Sequence, residues 1–230
     1  MWDIKRITFF LKYLRDKIGP RPWLTFFNCI RYFLKYRNIL NPYEIIAINP
    51  QEIQVSLNRD FEKKLKIGLG ATMSGNWDKK VVPINNKKYQ SVFNHYVNDT
   101  PWIETSLFME EYKNKINRGI SIRGCNSLSE LERFYQCYDD IFFSLREDGF
   151  KQPSFSNPEI RYIYVYIGRN GEIIYGGGGN HRLAMLHVLG IKKIQARVLI
   201  RHSKWVEKKI TKSNGKRKPT KNTNHPDYIS

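Results

Sequence analysis

Apolar side chains recur at three- and four-residue steps through the first forty positions, which places them on one face of a helix. Ile4, Ile7, Leu11, Leu14 and Ile18 form one such stripe, ended by Gly19-Pro20. Leu24, Phe27, Ile30 and Leu34 form a second between Trp23 and about Tyr36, with Arg31, Lys35 and Arg37 on its other side. The pair is expected to be an amphipathic helical hairpin, lying on a membrane surface or a partner, or packed on a domain with its charges solvated. After Asn41-Pro42, Glu44 to Ile53 reads as a strand, a Pro-containing turn and a short continuation, with Ile45, Ile46, Ile48 and Ile53 apolar. Residues 60–125 carry a weaker pattern. Gly68, Gly70 and Gly75 read as loop glycines, because no helix opens directly after them and their spacing does not fit a dinucleotide fingerprint.

From Ser127 the pattern sharpens. Ser127-Leu-Ser-Glu130 is a capping box opening a helix with Leu131, Phe134, Tyr138 and Ile141 on its apolar face, ending near Gly149. Arg161 to Ile167 alternates Ile163, Val165 and Ile167 against three tyrosines, Asn170-Gly171 signals a hairpin turn, and Glu172 to Tyr175 is the returning strand. A helix over about Asn180 to Leu189, closed by Gly190, and a strand over Ile194 to Ile200 follow. Residues 211–230 hold almost nothing apolar and are expected to form a disordered tail.

Composition changes this picture in two ways. The 230 residues are 41% hydrophobic and 14% aromatic, enough for a real core. The net charge of +18 is concentrated at the ends: residues 1–40 and 201–230 each carry nine Lys or Arg against two acids, so each end is +7 and the middle only +4. Basic ends favour polyanions, nucleic acid or an anionic membrane surface among them. Cys29, Cys125 and Cys137 show no zinc or redox spacing and read as reduced, small buried side chains. With no apolar run of membrane-spanning length and no signal-peptide pattern, the expected location is cytoplasmic or membrane-peripheral.

The chemistry-bearing segment is Gly176-Gly-Gly-Gly-Asn180-His181-Arg182, between a strand and a helix. A glycine run there lets the backbone approach a ligand closely and adopt positive φ angles that aim successive N–H groups at one point, which is an anion site. Asn180 suits the N-cap, Arg182 can lay a bidentate fork on a phosphate, and His181 can donate to the same oxygens or move a proton.

The stretch from Tyr138 to Ile200, with GFKQP at Gly149 to Pro153 and GGGGNHR, resembles the ParB/sulfiredoxin superfamily, as does AINPQEI at Ala47 to Ile53. The resemblance implies an α+β fold, a small mixed sheet with packed helices, here with an N-terminal helical hairpin over 1–40, a domain over 41–205 with an insertion at about 60–125, and a basic tail over 206–230. It also implies a nucleoside triphosphate (ATP or CTP) with Mg²⁺, phosphate contacts from Gly177, Gly178, Gly179, Asn180, His181 and Arg182, and Gln152 near the nucleotide. Asn180 stands where sulfiredoxins need cysteine, so sulfiredoxin chemistry is not expected, and no helix-turn-helix pattern follows Ile200, so a partition-protein role is not expected either.

GNWD at Gly75 to Asp78, PWIETSLF at Pro101 to Phe108 and RHSKW at Arg201 to Trp205 resemble a full-length group of ParB-like proteins often encoded near surface-glycan genes. They single out Trp77, Asp78, Trp102, His202 and Trp205, which packing explains equally well. His95 and His187 read as structural. The expected function is a phosphotransferase or nucleotidase acting on a small molecule or glycan precursor, with Glu52, Asp78 and His181 as candidate catalytic groups. The alternatives are a nucleic-acid-binding module or a membrane-peripheral accessory to glycan synthesis.

Overall fold

The computed structural model describes residues 22–36, 41, 44–64, 69–151, 162–214 and 225–229. The stripe from Ile4 to Ile18 and the Gln152-Pro153 turn lie outside them. The fold is α+β and divides into two units, a sheet unit within 1–83, 152–178 and 193–230, and a helical unit within 84–151 and 179–192.

The sheet unit is built on seven strands: β1 (Ile45–Ile48), β2 (Val55–Leu57), β3 (Ala71–Met73), β4 (Val81–Pro83), β5 (Ile163–Ile167), β6 (Ile173–Gly177) and β7 (Ile194–His202). Their order is β1-β7-β5-β6-β2-β4, with β3 also paired to β7. β7 is the spine. It is buried along nearly its whole length, runs parallel to β5, and pairs β1 antiparallel at Ile45↔Arg197 and β3 parallel at Met73↔His202. A strand covered on both faces reads as a continuous apolar run, which is why β5 buries Tyr166 along with its isoleucines. Tyr166 enters a cluster with Leu57, Leu69, Trp77, Ile174 and Ile200.

The β5–β6 hairpin forms as expected, one residue out of place. Arg169 and Asn170 are the central turn residues, Gly171 N–H donates to Gly168 O, and Gly171 follows at φ +97°, a turn closed by a left-handed glycine. Within residues 60–125, β3 and β4 pair into the sheet, with Leu69, Ala71 and Trp77 in its core, and a short helix, α2 (Arg59–Lys64), precedes them.

α1 (Pro22–Tyr36) matches its expected span. Thr25 and Tyr32 are the residues it buries; Thr25 Oγ1 accepts from Leu69 N–H at 3.1 Å and Asn28 Nδ2 donates to Leu69 O. The apolar face, with Phe27, Ile30 and Leu34, is exposed and not packed on the domain.

The tail also departs from expectation. α7 (Ser203–Asn214) and α8 (Pro226–Ile229) are helical, and Asp227 is fully buried. Asp227 accepts from Arg201 Nη2 at 2.6 Å and Trp205 Nε1 at 2.8 Å, while Arg201 also pairs with Glu44 at 2.6 Å. Burial opposes ionisation of Asp227, but the Arg201 guanidinium outweighs it and holds the carboxyl below its usual range. A charge-assisted network of this kind fixes α8 where hydrophobic area is scarce.

The helical unit contains α3 (Lys87–Val97), α4 (Ser106–Asn114), α5 (Leu128–Asp148) and α6 (Asn180–Val188). Ser127 Oγ accepts from Glu130 N–H and Gly149 closes α5 at φ +71°, as the capping box predicts. Its buried face is Leu131, Tyr135, Phe142 and Leu145 rather than the expected stripe through Ile141, which is exposed. Asp139 Oδ1 accepts from Tyr96 Oη at 2.8 Å and Trp102 Nε1 at 3.0 Å, and the Trp102 ring stacks on His95 at 4.0 Å. Cys125 is buried while Cys137 is exposed, so only the first fits the expected small core side chain.

Candidate functional site

β6 ends at Gly177 and α6 begins at Asn180, so the strand passes into the helix through two residues. Gly177, Gly178 and Gly179 take φ of +113°, +82° and +88°, a run of left-handed backbone that only glycine adopts without strain. At Gly178 the space is closed as well: a Cβ there would lie 2.1 Å from Tyr162 O. Two independent constraints therefore require glycine at one position.

Gly179, not Asn180, is the N-cap, and no side chain caps the helix. Leu183 N–H makes the first helical bond, to Gly179 O at 2.9 Å, so the N–H groups of Asn180, His181 and Arg182 have no acceptor within the helix. With the positive end of the helix dipole, this arrangement favours negative charge. The helical unit adds a second helix start beside it: Asn86 caps α3, accepting from Tyr89 N–H at 3.1 Å, and its Nδ2 reaches Asn180 Oδ1 at 3.5 Å. Lys88, in the first turn of α3, and Arg123 both act electrostatically on His181.

His181 is 8% exposed, its ring stacks on Tyr138 at 4.4 Å, and its buried Nε2 has no hydrogen-bond partner. Desolvation, then the charges of Arg123 and Lys88, push its pKa down to about 3. The imidazole is thus neutral at physiological pH, suited to hydrogen bonding and not to carrying charge. Tyr138 is fixed in turn: Arg123 Nη1 donates to its hydroxyl at 3.1 Å, and Arg123 Nη2 pairs with Glu111 at 2.6 Å. The Arg182 guanidinium folds back over the turn, where a Cβ on Gly179 would be 3.0 Å from its Nη2, and lies 5.6 Å above the Phe150 ring. Phe150 adjoins Gly149, so the one described end of the expected Gly149–Pro153 turn does lie beside this arginine.

The structure does not bring the two acids to this turn. Asp78 accepts from Arg169 N–H at 3.0 Å, Nε at 2.7 Å and Nη2 at 2.6 Å. Burial raises its pKa, but these hydrogen bonds win and hold it below the usual carboxylate range. Glu52 is exposed in the turn after β1 and acts electrostatically on His225, which bonds Gly171 O at 2.9 Å. Both acids therefore belong to the hairpin end of β6, five residues from Gly177, or roughly 16 Å along the strand.

Trp77, His202 and Trp205 are structural too. Trp77 stacks on His202 at 5.9 Å, His202 Nε2 donates to Gly75 O at 2.9 Å, and Trp205 binds Asp227. In the helical unit, Trp102 serves the Asp139 hub and His187 bonds Tyr89 at 2.8 Å.

Sequence reasoning missed Asn86, Lys88, Arg123 and Tyr138 as neighbours of the turn. Asn86 carried a signal, an N-cap residue before an amphipathic stretch; Arg123, at φ +55° in a turn, carried none. Among the described residues no group of three or more His, Cys, Asp or Glu side chains is placed to hold a metal ion. No helix among them is long and apolar enough to cross a membrane. No family model, curated protein or solved structure matches the chain.

Proposed function

We propose that this protein binds a phosphorylated ligand, a nucleoside triphosphate in the fullest form of the reading, through Gly177 to Arg182. The observation that carries it is the three-residue run of positive φ leading into an uncapped helix start. Backbone N–H groups there meet phosphate oxygens, Arg182 supplies a positive fork, and neutral His181 offers hydrogen bonding without competing for protons. The resemblance of GGGGNHR to the ParB/sulfiredoxin box supports the same ligand class.

For a phosphoryl-transfer or hydrolysis step, these groups supply positioning and neutralisation of charge, the main requirements of that chemistry. Glu52 and Asp78 are held elsewhere and are assigned no part in it. Mg²⁺ on a nucleotide is held mainly by phosphate oxygens and water with one or two carboxylates, and no such carboxylate is assigned to it among the described residues.

Calorimetric titration with ATP, CTP, GTP and inorganic phosphate tests the proposal. A charge-assisted hydrogen bond contributes about 1.5–3 kcal/mol, so Arg182→Ala should weaken binding by roughly 10- to 150-fold with the fold unchanged. The absence of binding at millimolar ligand, or an unchanged affinity in the variant, overturns it.

A further inference from the structure

α1 presents its apolar face outward. At about 100° per residue, Trp23, Phe26, Phe27, Ile30, Phe33 and Leu34 fall within an arc of about 120°, and all six are exposed, Trp23 at 78%, Phe26 at 60% and Leu34 at 61%. The buried Thr25 and Tyr32 lie on the opposite side, and Thr25 and Asn28 lock that side to Leu69. The helix is thus held by its polar side, with six large apolar side chains turned to solvent. Scattered exposed hydrophobics need no explanation, but a contiguous face of this size marks an interaction site.

Charge says what covers it. Arg31 is exposed beside the arc, and α1 contains no acid. Lys35 pairs with Glu207 at 3.6 Å, which brings α7 alongside with Lys204 and Lys208 exposed. An apolar stripe rich in Trp and Phe, flanked by cations whose stems can reach upward, is the pattern of a helix lying in a membrane interface. Basic residues beside it add attraction to anionic headgroups.

We infer that the exposed face of α1 docks this protein on an anionic lipid bilayer, with Trp23, Phe26, Phe27, Ile30, Phe33 and Leu34 entering the headgroup–acyl boundary and Arg31, Lys204 and Lys208 meeting lipid phosphates. The site is separate from the glycine turn and does not depend on phosphate binding there.

Flotation of the full chain with phosphatidylcholine vesicles, with and without about one-third phosphatidylserine, tests it. The protein should float with the anionic vesicles and fall at least about tenfold in bound fraction with neutral ones or in 0.5 M salt, since surface charge is screened there. Phe27→Glu with Ile30→Glu changes only exposed positions and should abolish flotation while leaving the melting temperature and nucleotide titration unchanged. Three results overturn the inference: no flotation of the wild type, equal flotation of the variant, or a wild-type dimer that the variant dissociates without any vesicle binding. Flotation only after removal of residues 1–21 also overturns it, because the face would then be covered by the chain itself.

Discussion

The buried imidazole of His181 makes a quantitative statement about acid stability. Its folded-state pKa, about 3, lies below the ordinary histidine value of 6.5 because burial and the nearby Arg123 and Lys88 oppose a positive charge. The unfolded chain therefore takes up a proton that the folded chain refuses, and stability falls as pH drops below the unfolded value, until near pH 3 the folded state protonates too. Between pH 7 and pH 5 the folded-state value drops out, since it lies well below both. The loss then follows from the unfolded pKa alone: RT ln(1 + 10^1.5) at pH 5, less a few tenths at pH 7, or about 2 kcal/mol.

Urea titrations at the two pH values read this directly, with a midpoint shift of about 1 M at a slope near 2 kcal/mol per molar. His181→Phe keeps a ring against Tyr138 and cannot titrate, so its loss between pH 7 and 5 should be smaller by about 2 kcal/mol. His225, also lowered by burial, contributes in the same direction in both proteins and cancels in the comparison. Equal losses in the two proteins, within about 0.5 kcal/mol, would falsify the placement of His181 as a buried neutral imidazole.

Two further outcomes follow from the sheet unit. Asp227→Ala leaves Arg201 buried with Glu44 alone and strips Trp205 Nε1 of its acceptor. Removing one partner of a buried pair costs about 3 kcal/mol or more, which in a chain of this size lowers the melting temperature by roughly 6–12 °C; a shift below 2 °C in scanning calorimetry would show that α8 is not anchored as described. Gly178→Ala drives a Cβ against Tyr162 O in left-handed backbone. It should cost at least about 2 kcal/mol and reduce nucleotide affinity together, because the same backbone shift relieves the clash and misaims the N–H groups; a variant as stable as the wild type refutes that packing.

Much of the local structure was legible from residue order. The capping box at Ser127, the hairpin signal before Gly171, the glycine run before α6 and Gly190 after it each depend on short-range sterics and hydrogen bonding, and each appears within a residue or so of its expected place. The strand-to-helix turn belongs to this class, because the need for positive φ is written into the glycines themselves.

Tertiary structure decided what periodicity does not encode. A helical stripe says which residues share a face, not which face is turned inward. For α1, polar bonds from Thr25 and Asn28 to Leu69 and the burial of Tyr32 set the orientation, so the apolar stripe, whose direction the sequence left open, is solvent-facing. The same limit applies to residues 69–83, whose short strands gain their identity only by pairing with β7 and β2. It applies to the acids most of all. Asp78 and Glu52 were candidates by residue type, yet Arg169 and the turn after β1 hold them at the hairpin end of β6, away from Gly177. A carboxylate's role depends on partners distant in sequence, whereas a glycine turn carries its geometry with it, which is why the sequence by itself could specify the strand-to-helix glycine turn and not the groups around it.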